Sequence, residues 1–273
     1  MLHHLPNVTD ARALRRAGPL LPGGIGDNDA DNSPVIVPTG TDLDYCSELA
    51  TTDYAGPWPI CPRNGDRTLV RTDTGTITTG RCLSNSCYAC IWPVALPIGA
   101  AIGLAKPDWM IGLTQVGKDW AQIRDRVKYL GTVLRRAKLQ IQYAWHVEPN
   151  PHSDDHHIHM WAHGDKVKAI TLASAAGAVG MGQQVYVKAA ASGTDGARNF
   201  TYGMKMCRPS RADASAMSPE AAQFLELNGG RLVHPTRGFW RDASGRPLKG
   251  IREAIRMARQ AEGRGSWRLQ DVS

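Results

Sequence analysis

Two neighbouring segments with strict alternation of apolar and polar residues constrain this chain more than any other feature. Residues 140–148 read QIQYAWHVE and residues 157–163 read HIHMWAH, separated by the turn PNPHSDD and His156. Successive side chains of a strand point to opposite faces, so each segment predicts a strand with one apolar and one more polar face. Strands joined by a short turn pair antiparallel. We therefore expect an antiparallel sheet whose polar face gathers side chains from both strands.

The segments around this pair predict further strands and helices. WMIGLTQV, from residue 109, and residues 183–189 predict strands. An apolar stripe at helical spacing follows the first of these: Trp120, Ile123, Val127, Leu130 and Leu134. Residues 166–179 and 198–207 predict two more helices. This order predicts an α+β fold, an antiparallel sheet with helices on one face and the other face open.

Charge is distributed unevenly along the chain. The 273 residues carry a net charge of +7, but residues 1–60 hold three basic and eight acidic side chains, a net of −5. The remainder therefore carries +12, which favours a polyanionic partner such as nucleic acid. A basic surface that is merely solvated is the alternative.

Two features bear on location. The start of the chain has no apolar signal-peptide region, so we expect a cytoplasmic protein. Residues 82–105 are uncharged over about the length of a membrane span. Their Ala and Gly content and two prolines favour a buried helix or loop, and no membrane partner is expected.

Four regions are expected along the chain. Residues 1–45 are rich in Pro, Gly, Asp and Asn without a period and predict a flexible leader, with a short helix over Asp10–Ala17. Residues 46–106 hold five of the six cysteines and predict a small module. Residues 107–210 carry the alternating strands. Residues 211–273 predict a basic C-terminal extension with a helix over about 248–262.

The cysteine spacing in the second region is typical of a zinc site. Cys82, Cys87 and Cys90 are separated by four and two residues, and Cys61 would complete a tetrahedral set. Cys46 is the rival for the fourth position. Disulfides are the less favoured alternative, because no signal sequence directs the chain to an oxidising compartment. We expect a structural Zn²⁺.

The polar face of the strand pair predicts a second metal site. His157 and His159 are two apart and share a face, and Glu148 on the adjacent strand supplies a carboxylate. Two imidazoles and a carboxylate with open positions suit Mg²⁺, Mn²⁺ or a catalytic transition metal. His146 and His156 are alternative ligands.

The segment NFTYGMKM predicts a nucleophile. Tyr202 and Lys205 are three apart on a predicted helix and share a face, so an ammonium group can support phenolate character or phosphate charge. Tyr186, on the last predicted strand, is the rival nucleophile.

In their order and spacing, GLTQ on a strand, E-x8-HIH and YGMK resemble the three motifs of HUH endonucleases. Within that superfamily the chain is similar to single-tyrosine rolling-circle replication initiators (Rep proteins) of plasmids and single-stranded DNA phages. The resemblance covers residues 107–241 and implies an HUH fold, related to the RRM sheet.

The resemblance also implies roles. His157, His159 and Glu148 hold the divalent ion, Tyr202 attacks the scissile phosphate to give a 5′-phosphotyrosine link and a 3′-hydroxyl primer, and Lys205 assists. The resemblance further implies that the protein rejoins strands at termination. Origin single-stranded DNA, a host helicase and a polymerase are the implied partners. No second Tyr follows Tyr202 at a helical spacing, which leaves the terminating cleavage unassigned.

Basic side chains near these motifs predict contacts with DNA phosphates: Arg198, Arg208, Arg237, Arg241, Arg252 and Arg256. Phe239 and Trp240 are candidates to stack on unpaired bases, with a core position as the alternative for Phe239. Competing functions are a non-enzymatic zinc-dependent DNA-binding protein, another metallohydrolase, or an HUH relaxase or transposase.

Overall fold

Eight strands and six helices follow one another along the described residues. The strands are β1 (Thr68–Arg71), β2 (Ile77–Thr79), β3 (Trp109–Thr114), β4 (Ile141–Glu148), β5 (His157–Gly164), β6 (Val185–Ala189), β7 (His234–Pro235) and β8 (Trp267–Leu269). The helices are α1 (Ile91–Ala105), α2 (Trp120–Arg136), α3 (Ala169–Ala178), α4 (Gly193–Gly203), α5 (Pro219–Leu227) and α6 (Ile251–Ala261). A 3₁₀ turn over Lys205–Cys207 follows α4.

The computed structural model describes residues 59–63, 65, 68–71, 77–79, 81–114, 117–150, 156–190, 192–208, 215–261 and 267–269. All of them belong to one compact unit, residues 40–273. The predicted leader with its helix over Asp10–Ala17, and Cys46, lie outside the described residues. The predicted borders after residues 106 and 210 fall inside this unit.

Five strands form an antiparallel sheet in the order β6-β3-β5-β4-β7. Its register places Glu148 opposite His157 and His146 opposite His159. On the other side of β5, Gly112 lies opposite His159, and Gly112 also lies opposite Tyr186 of β6. A second, smaller sheet joins β2, β1 and β8. The α+β class and the antiparallel sheet predicted from the sequence are confirmed.

One face of the large sheet packs on α2 and α3. Its buried residues include Leu113, Val147 and Ile158, which contact the predicted apolar stripe of α2 and residues of α3. Asp119 caps α2 by accepting a hydrogen bond from the Gln122 backbone N–H at 2.8 Å. This face carries the alternating apolar residues of both strands.

The opposite face is covered as well over most of its area. Ala144, Trp161 and Met110 lie on it and are buried in one cluster with residues of α1, α4, α5 and α6. The prediction of helices on one face only is therefore wrong. Its physical reason is that the "polar" face alternates histidines with apolar side chains, and Trp161 is too large and apolar to leave in water. The end of this face that carries Glu148, His157 and His159 opens to solvent, and so does its β6 edge at Tyr186.

The uncharged stretch before the sheet forms α1, which is buried along one side and ends where Lys106 adopts a left-handed conformation with φ 50°. Of the helices that the structure describes, none has both the length and the apolar character needed to cross a membrane.

Helix α5 was not predicted, yet it supports the open end of the sheet. Ser218 caps it by accepting from the Ala221 backbone N–H at 3.1 Å, and Pro219 occupies its first turn. Just beyond its end, the buried Asn228 side chain bonds both the N–H and the C=O of Val147, each at 2.8 Å. Asn228 thus fixes the last two residues of β4, which include Glu148.

Candidate functional site

A cleft of about 590 Å³ opens at the uncovered end of the sheet. Strands β4 and β5, the end of α4 with its 3₁₀ turn, and α5 form its walls. The lining residues are Glu148, Pro149, Asn150, His157, His159, Tyr202, Lys205, Met206, Glu220 and Gln223. The structure thus brings all five predicted residues of the catalytic and divalent-metal sites to one cleft.

Glu148 is the centre of the contacts in this cleft. Its Oε2 accepts a hydrogen bond from Nε2 of His159 at 2.6 Å, and its Oε1 pairs with Nζ of Lys205 at 2.8 Å. Burial raises the pKa of Glu148, but the contacts with His159 and Lys205 outweigh burial and hold its pKa below the usual value. Glu148 is therefore an anion with both oxygens engaged.

Tyr202 and Lys205 project from the end of α4. The side chain of Ser192 and that of Asp195 form a capping box at the start of this helix, which begins five residues before the predicted residue 198. Nζ of Lys205 lies 4.0 Å from the centroid of the Tyr202 ring, and Tyr202 is 60% exposed. Burial lowers the pKa of Lys205, but its contacts with Glu148 and Tyr202 raise the pKa by more than burial lowers it. The net pKa lies above the usual value, so Lys205 is a cation. The phenol thus stands at the cleft mouth beside a fixed positive charge.

His146, predicted as an alternative ligand, lies beneath the cleft. It is fully buried against the edge of His159 and against Trp161, Phe200 and Phe224. Neither of its ring nitrogens has a hydrogen-bond partner of good geometry among the described residues. Burial, together with His159, holds its pKa well below the usual value, which the Leu232 backbone only partly offsets. His146 is a neutral packing residue that supports His159.

His156, the other alternative ligand, is also buried and does not line the cleft. The Asn150 backbone N–H donates to its Nδ1 at 3.4 Å. His163, at the far end of β5, packs on Phe239 with 5.2 Å between ring centroids.

Tyr186, the rival nucleophile, lies on the same sheet face as His159 but is not among the residues that line the cleft. Its ring covers Gly112, since a Cβ at Gly112 would lie 2.8 Å from Cδ1 of Tyr186. Tyr202 is the described tyrosine that lines the cleft together with the two histidines.

Glu220 and Gln223 line the cleft and were missed in the sequence. Ser218, Pro219 and the spacing of Ala221, Phe224 and Leu227 signal a helix here. No local pattern indicates that this helix packs at the end of β4, because that placement depends on the tertiary contacts of Asn228 and Phe224.

The four cysteines predicted as a zinc site lie together. The sulfur atoms of Cys61, Cys82, Cys87 and Cys90 are all within 4.8 Å of one another, and those of Cys82 and Cys90 are 3.6 Å apart. Tetrahedral zinc with bonds of about 2.3 Å needs sulfur atoms about 3.8 Å apart. Burial and the neighbouring thiols raise the pKa of Cys90 to about 12. A bound dication would stabilise the thiolate and lower this pKa. The cluster can hold a metal ion such as zinc.

Among the described residues, this cluster is the one group of three or more candidate ligands that lies so close together. The ligand atoms of Glu148, His157 and His159 are more widely spread, with His159 bonded directly to Glu148.

The predicted phosphate-binding arginines differ in their surroundings. Four are exposed: Arg208, Arg237, Arg252 and Arg256. Arg198 is half-buried, and Arg241 is half-buried with Nη2 donating to Gln142 at 2.8 Å. Phe239 and Trp240 are 0% and 3% exposed, so their proposed role in stacking on bases is wrong. Their rings belong instead to the buried cluster that also contains residues of α1 and α6.

Comparisons with protein-family models, with curated proteins and with solved structures gave no match to this chain.

Proposed function

We propose that this protein is a metal-dependent single-strand DNA nickase and strand transferase of the HUH class, acting as a rolling-circle replication initiator. One observation supports it above the others. Glu148, His157, His159, Tyr202 and Lys205, which come from three separate segments of the chain, line a single cleft open to solvent. A nucleophile, a cation and a metal-ligand set in one cleft are the parts that phosphoryl transfer needs.

The donor set suits a divalent ion of the Mg²⁺ or Mn²⁺ type. His157 and His159 offer two imidazole nitrogens, Glu148 offers a carboxylate, and the cleft leaves the other positions to water or phosphate. When bound by these residues, such an ion would polarise the scissile phosphate and neutralise charge in the transition state. Because Oε2 of Glu148 is hydrogen bonded to His159, binding requires these two side chains to separate.

The protein's own residues supply the nucleophile and its setting. The Tyr202 oxygen attacks phosphorus, its proton passes to water, and the bond from phosphorus to the 3′ oxygen breaks. That oxygen takes up a proton and leaves as a 3′ hydroxyl, while the 5′ phosphate stays on Tyr202. Lys205, over the phenol ring and paired with Glu148, favours negative charge at this point. The phosphotyrosine link retains the energy of the phosphodiester, so a later strand transfer needs no ATP.

The decisive test is Tyr202→Phe, which removes only the hydroxyl group. Wild type incubated with a random pool of single-stranded oligonucleotides and Mn²⁺ should form a covalent protein–DNA adduct, visible as a shifted band in a denaturing gel. Tyr202→Phe should bind the same pool in EDTA with unchanged affinity yet form no adduct. Tyr129→Phe, on the helix layer of the opposite face, is the matched control and should react as wild type does.

An adduct of undiminished yield in Tyr202→Phe would show that another residue is the nucleophile. Wild type that binds the pool but never forms an adduct would favour a second candidate, a non-enzymatic DNA-binding protein. The four-cysteine cluster favours that candidate, because its ligand atoms are already close together while those of the cleft are not.

We also propose that Cys61, Cys82, Cys87 and Cys90 hold a structural zinc ion. The cluster precedes α1 directly, and Arg81 ties it together by donating to the carbonyl of Pro59 at 3.0 Å and to that of Ala89. Protein purified without added metal should contain one equivalent of zinc by elemental analysis. Cys90→Ser should lose it, whereas Cys207→Ser, a buried cysteine outside the cluster, should retain it. A full complement of zinc in Cys90→Ser would contradict the assignment.

A further inference from the structure

A row of residues crosses three strands on the cleft face of the sheet. His159, Gly112 and Tyr186 lie directly opposite one another on β5, β3 and β6. Residues directly opposite in antiparallel strands share a face. Tyr186 therefore faces the same side as the cleft histidines, two strands away.

Gly112 gives the Tyr186 ring its position. With no side chain at Gly112, the ring leans across β3 toward β5, and a Cβ there would lie 2.8 Å from Cδ1 and 3.5 Å from Cε1 of Tyr186. The ring is held against the Gly112 backbone and remains 48% exposed. Burial, together with the Asp195 carboxylate, raises the pKa of the phenol, so the ring is neutral over the working pH range. The result is a fixed, neutral and accessible aromatic surface.

Helix α4 links this ring to the cleft. Asp195, in the first turn, acts electrostatically on Tyr186, and Tyr202 follows it by seven residues. Seven residues are about two turns, so both side chains lie on the same side of α4, about 10 Å apart along its axis. Lys188, exposed and two residues beyond Tyr186 on the same face, adds a cation beside the ring. The Tyr186 ring therefore lies at one end of this surface and Tyr202 at the other, with Lys188 beside the ring. A short stretch of one nucleic-acid strand would fit this arrangement.

We propose that Tyr186 is a stacking platform for a base of single-stranded DNA whose phosphate backbone continues into the cleft. Bases in a duplex are already stacked on each other, so an exposed ring of this kind selects an unpaired strand. The stacking reads no base edge and tolerates any sequence. This inference rests on the proposed function for the identity of the strand, but not on its catalytic step.

The test separates binding from chemistry. Binding of a fluorescein-labelled random pool of single-stranded oligonucleotides is measured by anisotropy in EDTA, and adduct formation in Mn²⁺ at saturating DNA. Tyr186→Ala should bind about 5- to 150-fold more weakly than wild type, the loss expected for one stacked base. Tyr186→Phe, which keeps the ring, should bind and react as wild type does. Tyr129→Ala is the control for the loss of an aromatic ring on the other side of the sheet and should bind normally.

A second measurement locates the contact directly. With 5-iodouracil in the pool, irradiation should cross-link DNA to the peptide that contains Tyr186, identified by mass spectrometry. Normal binding by Tyr186→Ala, or loss of the adduct in Tyr186→Phe with binding intact, would overturn the platform. Absence of any adduct in wild type, with the binding difference preserved, would overturn the proposed nickase and leave the platform standing.

Discussion

At the scale of single residues, the cleft is organised around one carboxylate with two partners. Glu148 contacts His159 through one oxygen and Lys205 through the other. Lys205 in turn lies over the Tyr202 ring. The ion pair of Glu148 with Lys205 and the cation–π contact of Lys205 with Tyr202 therefore connect the sheet to the candidate nucleophile. A substitution that moves the end of α4 away from β4 and β5 should break these contacts even though it replaces none of the three side chains.

Gly203→Ala makes such a change. A Cβ at Gly203 would lie 2.9 Å from Cε1 of His146 and 3.4 Å from Cδ2 of His159, and its nearest contact is Nε2 of His146. Because His146 is fully buried, the ring has no room to move, and α4 must shift instead. We expect a loss of about 1–3 kcal/mol in the free energy of unfolding and a lower adduct yield, measured by urea unfolding and by the denaturing gel.

The matched control is Gly250→Ala, where no atom lies within 4 Å of the added methyl group. Its stability should be within about 0.5 kcal/mol of wild type. If Gly203→Ala is as stable and as active as Gly250→Ala, the close packing of α4 on His146 is not a feature of the folded protein.

At the scale of elements, the periodicity of the sequence was sufficient to predict those strands and helices whose apolar residues follow a regular spacing. The alternation of residues 140–148 and 157–163 predicted β4 and β5 to within one residue, and the stripe from Trp120 to Leu134 predicted α2. Packing partners are a different matter. Trp161 stands between His159 and His163 on one face, and nothing in the alternation indicates that α1 and α4 cover it.

The cleft itself was predictable only in part, for the same reason. Glu148, His157 and His159 are neighbours in a hairpin, so their convergence follows from register. Glu220 and Gln223 come from a helix far along the chain, and their position depends on the bonds that the buried Asn228 makes to β4. Strands β1, β2 and β8 were not predicted, since each is only three or four residues long.

Asn228→Ala tests that tertiary link. The substitution leaves the N–H and C=O of Val147 without the partners that the side chain supplies, and it removes a third bond, to the Phe224 carbonyl. We expect a loss of about 2–4 kcal/mol in the free energy of unfolding, because buried backbone groups become unsatisfied. Asn85→Ala, which removes one exposed bond to the Gly230 carbonyl, should cost less than about 1 kcal/mol. Equal stability of the two variants by urea unfolding would argue against the anchoring role of Asn228.

At the scale of the whole molecule, the histidines that the structure describes include two groups with different surroundings. His157 and His159 face the cleft, whereas His163 and His234 are buried among aromatic side chains away from it. His234 packs against both Trp120 and Trp145, with its ring centroid 4.6 Å from each, and these two tryptophan rings also contact each other at 6.0 Å. Its Nε2–H donates to the Asn228 carbonyl at 2.9 Å. In the folded protein His163 and His234 are therefore neutral imidazoles, whereas in the unfolded chain they would be protonated in mild acid.

This predicts that stability falls as the pH drops from about 6.5 to 4. Burial lowers the pKa of His163 and that of His234 to about 4, from 6.5 in the unfolded chain. Between these values the unfolded state binds more protons than the folded state, so the free energy of unfolding rises with pH and is fully restored above about pH 6.5. Allowing for screening by solvent, each histidine should contribute about 2 kcal/mol to this change.

His234→Phe isolates one of these contributions. A phenyl ring can pack against the same two tryptophans but cannot take up a proton, so the variant lacks one titrating group whatever its stability at neutral pH. The free energy of unfolding, measured by urea at pH 7 and at pH 4.5, should differ less in His234→Phe than in wild type, by about 2 kcal/mol. Carboxylates titrate alike in both proteins and cancel in the comparison. An identical pH dependence would mean that His234 is accessible to protons in the folded state, contrary to its stacked and buried position.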